Sequence, residues 1–571
     1  MKYPLEIQSA MPLIELRTQR ELEMLSPTFV RTLVKELDVL CLEDRMCPVL
    51  FGDGSAGIFV LSQHYFDDQT AALLALLKER GYRLSATALY VLSPALLIAV
   101  TQSVRTASNS ASVLSEPPVR DGALTTAMNA ILLWALQHRA SDIHFNVKRT
   151  QSESAVMFTI DGRYVCPERY SRLPTATMLA MLSVTWMDVK GGNGAVFDSN
   201  QEQQGRVTRE LNGQTLHLRW ASLSTDQGPS VCLRLLILDP TTLTPELTDL
   251  GYLETQIDSL RRASLAQGGA IILAGTVGSG KSTTIATLMR EIPSYRKVIT
   301  LEDPAEYYIP NALQNTVSRS VEESADDVFD NKLKAFKRSA MNDLLIGEIR
   351  DVAGGRAFSD LSGSGVSIYT TVHAGSALWI SERLSSSFIG VPRDLLATPG
   401  ILKLLVFQCL LPKLCHGCSK SFEDINADAT WYCASNLPRT RCWRNEWLAK
   451  LEEITGIARQ KMKFRSETGC VHCLKSLSDM RGICGRTVAA EVIEPGEDPD
   501  FLNGIKRQDG IALHRWFESR PRTGLSNPDM RGKNAKQSAF YKVSTGLVDP
   551  RDVERIFGVC DFSKGVTHAV V

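Results

Sequence analysis

Ala270-Ile-Ile-Leu-Ala274-Gly275-Thr-Val-Gly278-Ser279-Gly280-Lys281-Ser282-Thr283 decides the fold. An apolar run of strand length leads directly into G-x-x-x-x-G-K-[ST], and Thr283 to Arg290 behind it reads as a helix. Glycines let the backbone wrap phosphates with its N–H groups, and a helix N-terminus adds a favourable dipole. The pattern therefore assigns nucleotide binding to Gly275, Gly278, Ser279, Gly280, Lys281, Ser282 and Thr283. Lys281 reaches the β- and γ-phosphates, and Ser282 coordinates Mg2+.

Working outward, further apolar runs follow at Val298 to Leu301, Leu344 to Ile346 and Val366 to Val372, with helical segments between them. They lack in/out alternation, as strands of a parallel sheet covered on both faces do. Ionisable groups stand at their ends, in Thr300-Leu-Glu302-Asp303-Pro304-Ala-Glu306-Tyr307, Leu344-Leu-Ile-Gly347-Glu348-Ile-Arg350-Asp351 and Thr370-Thr371-Val-His373-Ala374. The C-terminal ends of such strands are where open α/β sheets bind ligands. The centre of the chain reads as an α/β nucleotide-binding core.

At 571 residues the chain has room for roughly four domains. Residues 1–103 suit a small α+β domain, with short strands at Pro48 to Phe51 and Gly57 to Leu61; 104–122, rich in Ser, Pro and Ala, is a flexible linker. A second α+β domain follows at 123–240, with a helix around Ala127 to Gln137 and strands at Ala155 to Ile160 and Thr215 to Trp220. The core is placed at 241–414, a cysteine-bearing subdomain at 415–475 and a C-terminal region at 476–571. Hydrophobic residues at 44% and charged residues at 22% exclude collagen-like, disordered and membrane-spanning classes. No secretory signal is expected, and Tyr90 to Val100 is too short to span, so any membrane contact is peripheral. Lys plus Arg and Asp plus Glu both number 63, so no overall basic field draws the chain to nucleic acid. The basic excess between Lys506 and Lys536 reads as solvated surface, with a docking patch for nucleic acid or membrane protein as the alternative.

Four of the 13 cysteines form Cys415-His-Gly-Cys418 and Cys470-Val-His-Cys473, 51 residues apart. Four thiolates favour tetrahedral Zn2+ in a closed structural site, and the usage fits a reducing cytoplasm. Redox use of either pair is the alternative, although no thioredoxin-like pattern surrounds them. His416 and His472 are expected beside the metal or exposed, and Cys433 and Cys442 as ordinary residues.

In order and spacing, the three ionisable segments resemble the acidic box, Walker B motif and histidine box of the secretion ATPase superfamily, which drives type II secretion and type IV pilus assembly. The resemblance extends over about residues 124–495, through Ala140-Ser-Asp142-Ile-His144, Ile160-Asp-Gly-Arg163, Leu250-Gly251-Tyr252, Gly485-Arg486 and Glu491-Val-Ile. It implies a RecA-like ATPase core after two small α+β domains, followed by a tetracysteine zinc subdomain. It gives Glu302 the role of polarising the attacking water, Glu348 that of holding Mg2+ through water, and His373 that of sensing the γ-phosphate. Arg219 and Arg234, each flanked by apolar residues on a strand and needing a charge partner, are similar to the family's arginine fingers.

The resemblance further implies ATP as substrate, a homo-hexamer, a cytoplasmic location and an inner-membrane platform protein as partner. The cysteines mark assembly and secretion motors rather than retraction motors, and divergence from the family's standard pattern turns the expectation to an ATPase powering type IV pilus assembly, of a type IVb or conjugative kind, with type II secretion as the alternative. A RecA-like motor on nucleic acid and a nucleotide-binding scaffold without hydrolysis are the readings from other classes. Departures motivate the last of these. Arg338-Ser-Ala340-Met341-Asn342 stands where the family has Arg-x-Asp-Pro-Asp, which removes two carboxylates expected near the site. Thr276-Val277 replaces Pro-Thr, Gly365-Val366 replaces Gly-His, and Gln408-Cys409-Leu410 replaces Gln-Arg-Leu.

Overall fold

Three large sheets organise the described residues, each with its own burial pattern. The computed structural model describes residues 14–16, 21–22, 24–34, 36–37, 46–65, 68–92, 96–97, 100, 122–237, 245–316, 332–427, 431–473, 477–496 and 498–558. The expected linker lies outside these apart from Gly122.

The first sheet orders its strands β1-β5-β4-β3-β2, from β1 (Ile14–Leu16), β2 (Phe29–Thr32), β3 (Met46–Phe51), β4 (Ala56–Leu61) and β5 (Leu84–Leu92). β3 and β4 fall on the two apolar runs and are almost wholly buried, with Leu73 and Leu77 of the helix Asp68–Glu79 in the core beneath them.

The second sheet runs β10-β11-β12-β6-β7-β8, with β6 Ala140–Asn146, β7 Glu153–Ile160, β8 Arg163–Val165, β10 Gln204–Leu211, β11 Gln214–Leu223 and β12 Ser230–Ile237; a short β9 (Leu173–Pro174) pairs with β7. Here the side chains alternate. Leu216, Leu218 and Trp220 of β11 and Val231 and Leu233 of β12 are buried, which turns Arg219 and Arg234 to the other face. Helices Ala123–Gln137 and Thr175–Trp186 cover the apolar face: Trp134 packs on Phe158 at 4.4 Å between ring centres and Trp186 on Trp220 at 5.2 Å. Residues 1–160 with 164–235 make one compact unit, and 161–163 with 236–571 a second.

The third sheet belongs to the second unit. Its order is β15-β14-β16-β17-β13-β18-β21, built from β13 (Ala270–Ala274), β14 (Val298–Glu302), β15 (Ala312–Thr316), β16 (Asp343–Ile346), β17 (Ser367–Val372), β18 (Leu402–Leu414) and β21 (Ile483–Ile493). All neighbours are parallel except β18 and β21. β13, β16 and β17 are buried at every position because helices cover both faces. Leu260, Ile285 and Leu288, from helices Glu254–Leu265 and Lys281–Arg290, lie in one cluster with Ile271 and Leu273. Phe358, Phe501 and Leu513, from helices Val352–Ser362, Pro499–Lys506 and Gly510–Ser519, lie in the other with Ile272.

Two features depart from the sequence expectation. β15 is an edge strand of sequence Ala-Leu-Gln-Asn-Thr, too polar to announce itself. The sheet also continues past residue 414, because β21 pairs antiparallel with β18 from the far side of the cysteine-bearing excursion. That excursion has its own small hairpin, β19 (Trp431–Tyr432) with β20 (Pro438–Arg439), and a helix Arg441–Thr455. Thr440 Oγ1 accepts the Trp443 N–H at the start of this helix, and left-handed Gly456 ends it.

Candidate nucleotide site and metal centre

Gly275 leaves β13 beneath Gln408, where a Cβ would stand 2.4 Å from the Gln408 carbonyl oxygen. Gly278 and Gly280 take φ of 74° and 82°, left-handed values that suit glycine and that turn the chain into the helix Lys281–Arg290. Lys281 is buried, and its Nζ donates to the carbonyls of Gly275 (2.8 Å) and Thr276 (3.0 Å). Burial lowers its pKa, while Glu348 and Glu306 act in the opposite direction, so the ammonium lies in the field of two carboxylates. Ser282 is half-buried at the first turn, and Thr283 Oγ1 bonds the Tyr307 hydroxyl at 2.7 Å, tying the acidic box to the loop's helix.

The other ionisable residues converge on the same edge. Glu302 ends β14, and burial raises its pKa above the ordinary glutamate value. Gln314 Nε2 of the unexpected strand β15 donates to its Oε1 at 3.3 Å and to the Tyr307 carbonyl at 2.8 Å, so Gln314 orients a carboxylate that the sequence singled out. Glu348 lies just beyond β16, and its Oε1 is 3.1 Å from His373 Nε2. His373 Nδ1 in turn sits 3.1 Å from the Gly275 carbonyl oxygen, joining the ends of β16 and β17 to the base of the phosphate loop. Arg486 of β21 also reaches the loop, through Nη1 to the Gly278 carbonyl at 3.4 Å. The sequence marked Arg486 without giving it a role, because only the β18–β21 pairing brings it there.

Arg234 has the partner its surroundings demand: Nε meets Asp142 Oδ1 at 2.9 Å on the neighbouring β6. Arg219 stands on β11 opposite Arg206 of β10. Both belong to the first unit and the phosphate loop to the second.

The Ala340-Met341-Asn342 departure is placed differently from the expectation. It precedes β16 and so lies at the sheet edge opposite Glu348. Met341 is in the core, and Asn342 Oδ1 accepts the Lys297 N–H at 2.8 Å. The missing carboxylates are therefore missing from the far end of the strand, not from the site.

The four cysteine sulfurs of Cys415, Cys418, Cys470 and Cys473 lie within 4.8 Å of one another, Cys415 and Cys470 at 3.6 Å. A tetrahedron with Zn–S of about 2.3 Å has S···S edges of about 3.8 Å, so this donor set fits zinc. Backbone N–H groups aim at the sulfurs, Cys470 N and Gly482 N to Cys473 Sγ at 3.2 and 3.3 Å and His472 N to Cys470 Sγ at 3.4 Å, which favours thiolates. Burial, followed by the adjacent Cys470 and Cys415 thiols, pushes Cys418 up to about 12; a cation between the sulfurs would reverse that. A Cβ at Gly417 would stand 2.6 Å from His472 Cδ2 and 3.2 Å from Cys470 Sγ, so the two knuckles pack closely at this glycine. Cys433 and Cys442 bond Ser435 and Glu446 outside the cluster. The cluster sits where β18 ends at Leu414 and shortly before β21 begins at Ile483.

With this geometry in place, comparison with known proteins is specific. Residues 119–510 match the family described as Type II/IV secretion system protein. Type II secretion system protein E of Klebsiella pneumoniae is 29% identical over 325 residues, 57% of this chain and 61% of that protein. Its counterpart in Dickeya dadantii is 31% identical over 320 residues, 55% and 60% of the two chains. The type IV pilus assembly ATPase PilB of Thermus thermophilus is 29% identical over 280 residues, 49% of this chain and 30% of that one. The chain thus spans about 60% of the length of the first two relatives. The matched family covers both the second sheet and the phosphate-loop sheet: the chain belongs to the type II/IV secretion system protein family.

Proposed function

We propose that this chain is a magnesium-dependent ATPase that converts hydrolysis into mechanical work for a secretion-type machine. The observation that carries the proposal is the link from Glu348 through His373 to the Gly275 carbonyl, with Glu302 at the same sheet edge as the phosphate loop. Phosphoryl transfer asks mainly for positioning and charge neutralisation. Loop N–H groups and Lys281 take the phosphates, Glu302 orients and polarises the attacking water, and His373 reports the γ-phosphate to the β17 loop. Ser282 and Glu348 offer hard oxygen donors that would hold magnesium, which would supply charge neutralisation for phosphoryl transfer. Arg219 and Arg234 act as fingers on a nucleotide, with Asp142 holding Arg234 in register. The four cysteines hold structural zinc.

The finer proposal is a RecA-like motor, hexameric and cytoplasmic, acting on an inner-membrane platform protein to assemble a type IV pilus. Support for an assembly motor is the fit of the cysteine cluster to zinc. No described helix is long and apolar enough to cross a membrane. Type II secretion is the second reading, favoured by the two type II relatives at 29% and 31% identity. Phosphate release with and without magnesium, compared between wild type and Lys281→Ala, tests the ATPase. Deleting the gene separates the two processes: lost surface fibres with intact export supports the pilus, and the reverse supports type II secretion.

A further inference from the structure

Gln408, on β18, is fully buried and touches the phosphate loop at both ends. Its carbonyl oxygen lies against Gly275, close enough to exclude any Cβ there. Its Nε2 donates to the Ser279 carbonyl at 2.7 Å, and its Oε1 accepts from the Tyr252 hydroxyl at 2.5 Å. The amide can sit only one way, because the Ser279 carbonyl accepts and never donates. Burial pushes the Tyr252 phenol pKa up, which keeps the hydroxyl protonated and able to donate. Tyr252 is itself anchored, since the preceding Gly251 carbonyl accepts Lys542 Nζ at 2.6 Å from the helix Ala535–Ser544.

We infer that Gln408, oriented by Tyr252, is a positioning residue that sets the phosphate loop for binding the β-phosphate. In a trans peptide the C=O and the next N–H point in opposite directions. Bonding the Ser279 carbonyl down to Gln408 therefore turns the Gly280 N–H up, toward the space that the loop encloses. Without Gln408 that carbonyl is free to rotate inward, and a buried acceptor is left unpaired. The inference rests on the nucleotide-binding proposal above.

Titration of the full chain with a fluorescent ATP analogue and with ADP, both with magnesium, tests it. Gln408→Met keeps the volume and removes both hydrogen bonds; Tyr252→Phe removes only the orienting one. Gln408→Met is expected to weaken ATP and ADP by the same factor, about ten- to a hundredfold, and Tyr252→Phe by less. With rates measured across a range of ATP concentrations, KM should rise more than kcat falls, whereas partial unfolding would lower the active fraction and leave KM alone. Unchanged affinity in folded Gln408→Met, judged by circular dichroism, overturns the inference. Should that variant not fold, unchanged affinity in both Gln408→Glu and Tyr252→Phe overturns it instead. If wild type and Lys281→Ala bind nucleotide equally, the functional proposal itself fails and this one falls with it; normal wild-type binding with a normal Gln408→Met removes this one alone.

Discussion

A carboxylate stands at or just past each end of β16, and the two have different surroundings. At its start Asp343 is fully buried and forked onto Arg296, with Nε to Oδ2 at 2.7 Å and a second contact from Nη2 to Oδ1. Arg296 also holds the Ser264 carbonyl at 2.8 Å, stitching the helix Glu254–Leu265 to the sheet. Just past its end Glu348 is one-third exposed and meets His373 and, through it, the phosphate loop. The difference follows from sheet geometry. Loops leaving the C-terminal ends of parallel strands diverge and open a crevice for ligands; at the other end a charge is packed in and must be paired. A charged residue on this strand meets an open crevice or a packed interior according to which end it occupies.

The largest expected effect lies at the crevice end. Lys281→Ala should abolish nucleotide binding and turnover with little change in melting temperature, since the residue serves a loop and not a core; wild-type phosphate release would break the contrast at once. Glu302→Gln should keep ATP affinity and lose about 10²- to 10⁴-fold in kcat, because an amide preserves shape without basicity. Burial raises the Glu302 pKa, so in wild type the active carboxylate form is lost on acidification at a higher pH than an exposed glutamate would require. An acid limb of kcat at or below the ordinary glutamate value would count against Glu302 as the base.

At the other end Asp343→Ala should destabilise the fold by about 3–5 kcal/mol by stranding the Arg296 guanidinium, read as a lower urea midpoint, while turnover per folded molecule persists. Cys470→Ser should be milder. Wild type is expected to hold one zinc per chain and the variant less by metal analysis, with new proteolytic cuts near the knuckles. The excursion between them keeps a core of Trp431, Trp447, Leu448, Leu451 and Phe464, and paired backbone bonds between Lys420 and Phe464 at 2.8 and 2.9 Å still hold its ends. Zinc-free wild type purified under reducing conditions would sink the metal assignment. The smallest effect belongs to Asn342→Asp, which restores a family carboxylate at the packed end; kcat should change by less than about twofold. A large gain would mean that this end of β16 communicates with the chemistry.

Residues close together in sequence announced much of this. The phosphate loop, the buried strands Ala270–Ala274 and Ser367–Val372, the alternation that turns Arg219 and Arg234 off the apolar face of their sheet, and the paired cysteines are local patterns, because strand period, glycine conformation and ligand spacing are properties of a few consecutive residues. Tertiary structure decided what meets what. Gln314 reached Glu302 only through a polar edge strand, Arg486 and Gln408 reached the loop only through the β18–β21 side of the sheet, and Asn342 left the site because its end of β16 faces away. Strand order and direction are set by packing among segments tens to hundreds of residues apart, so a motif can name a group while the sheet alone determines which group stands beside it.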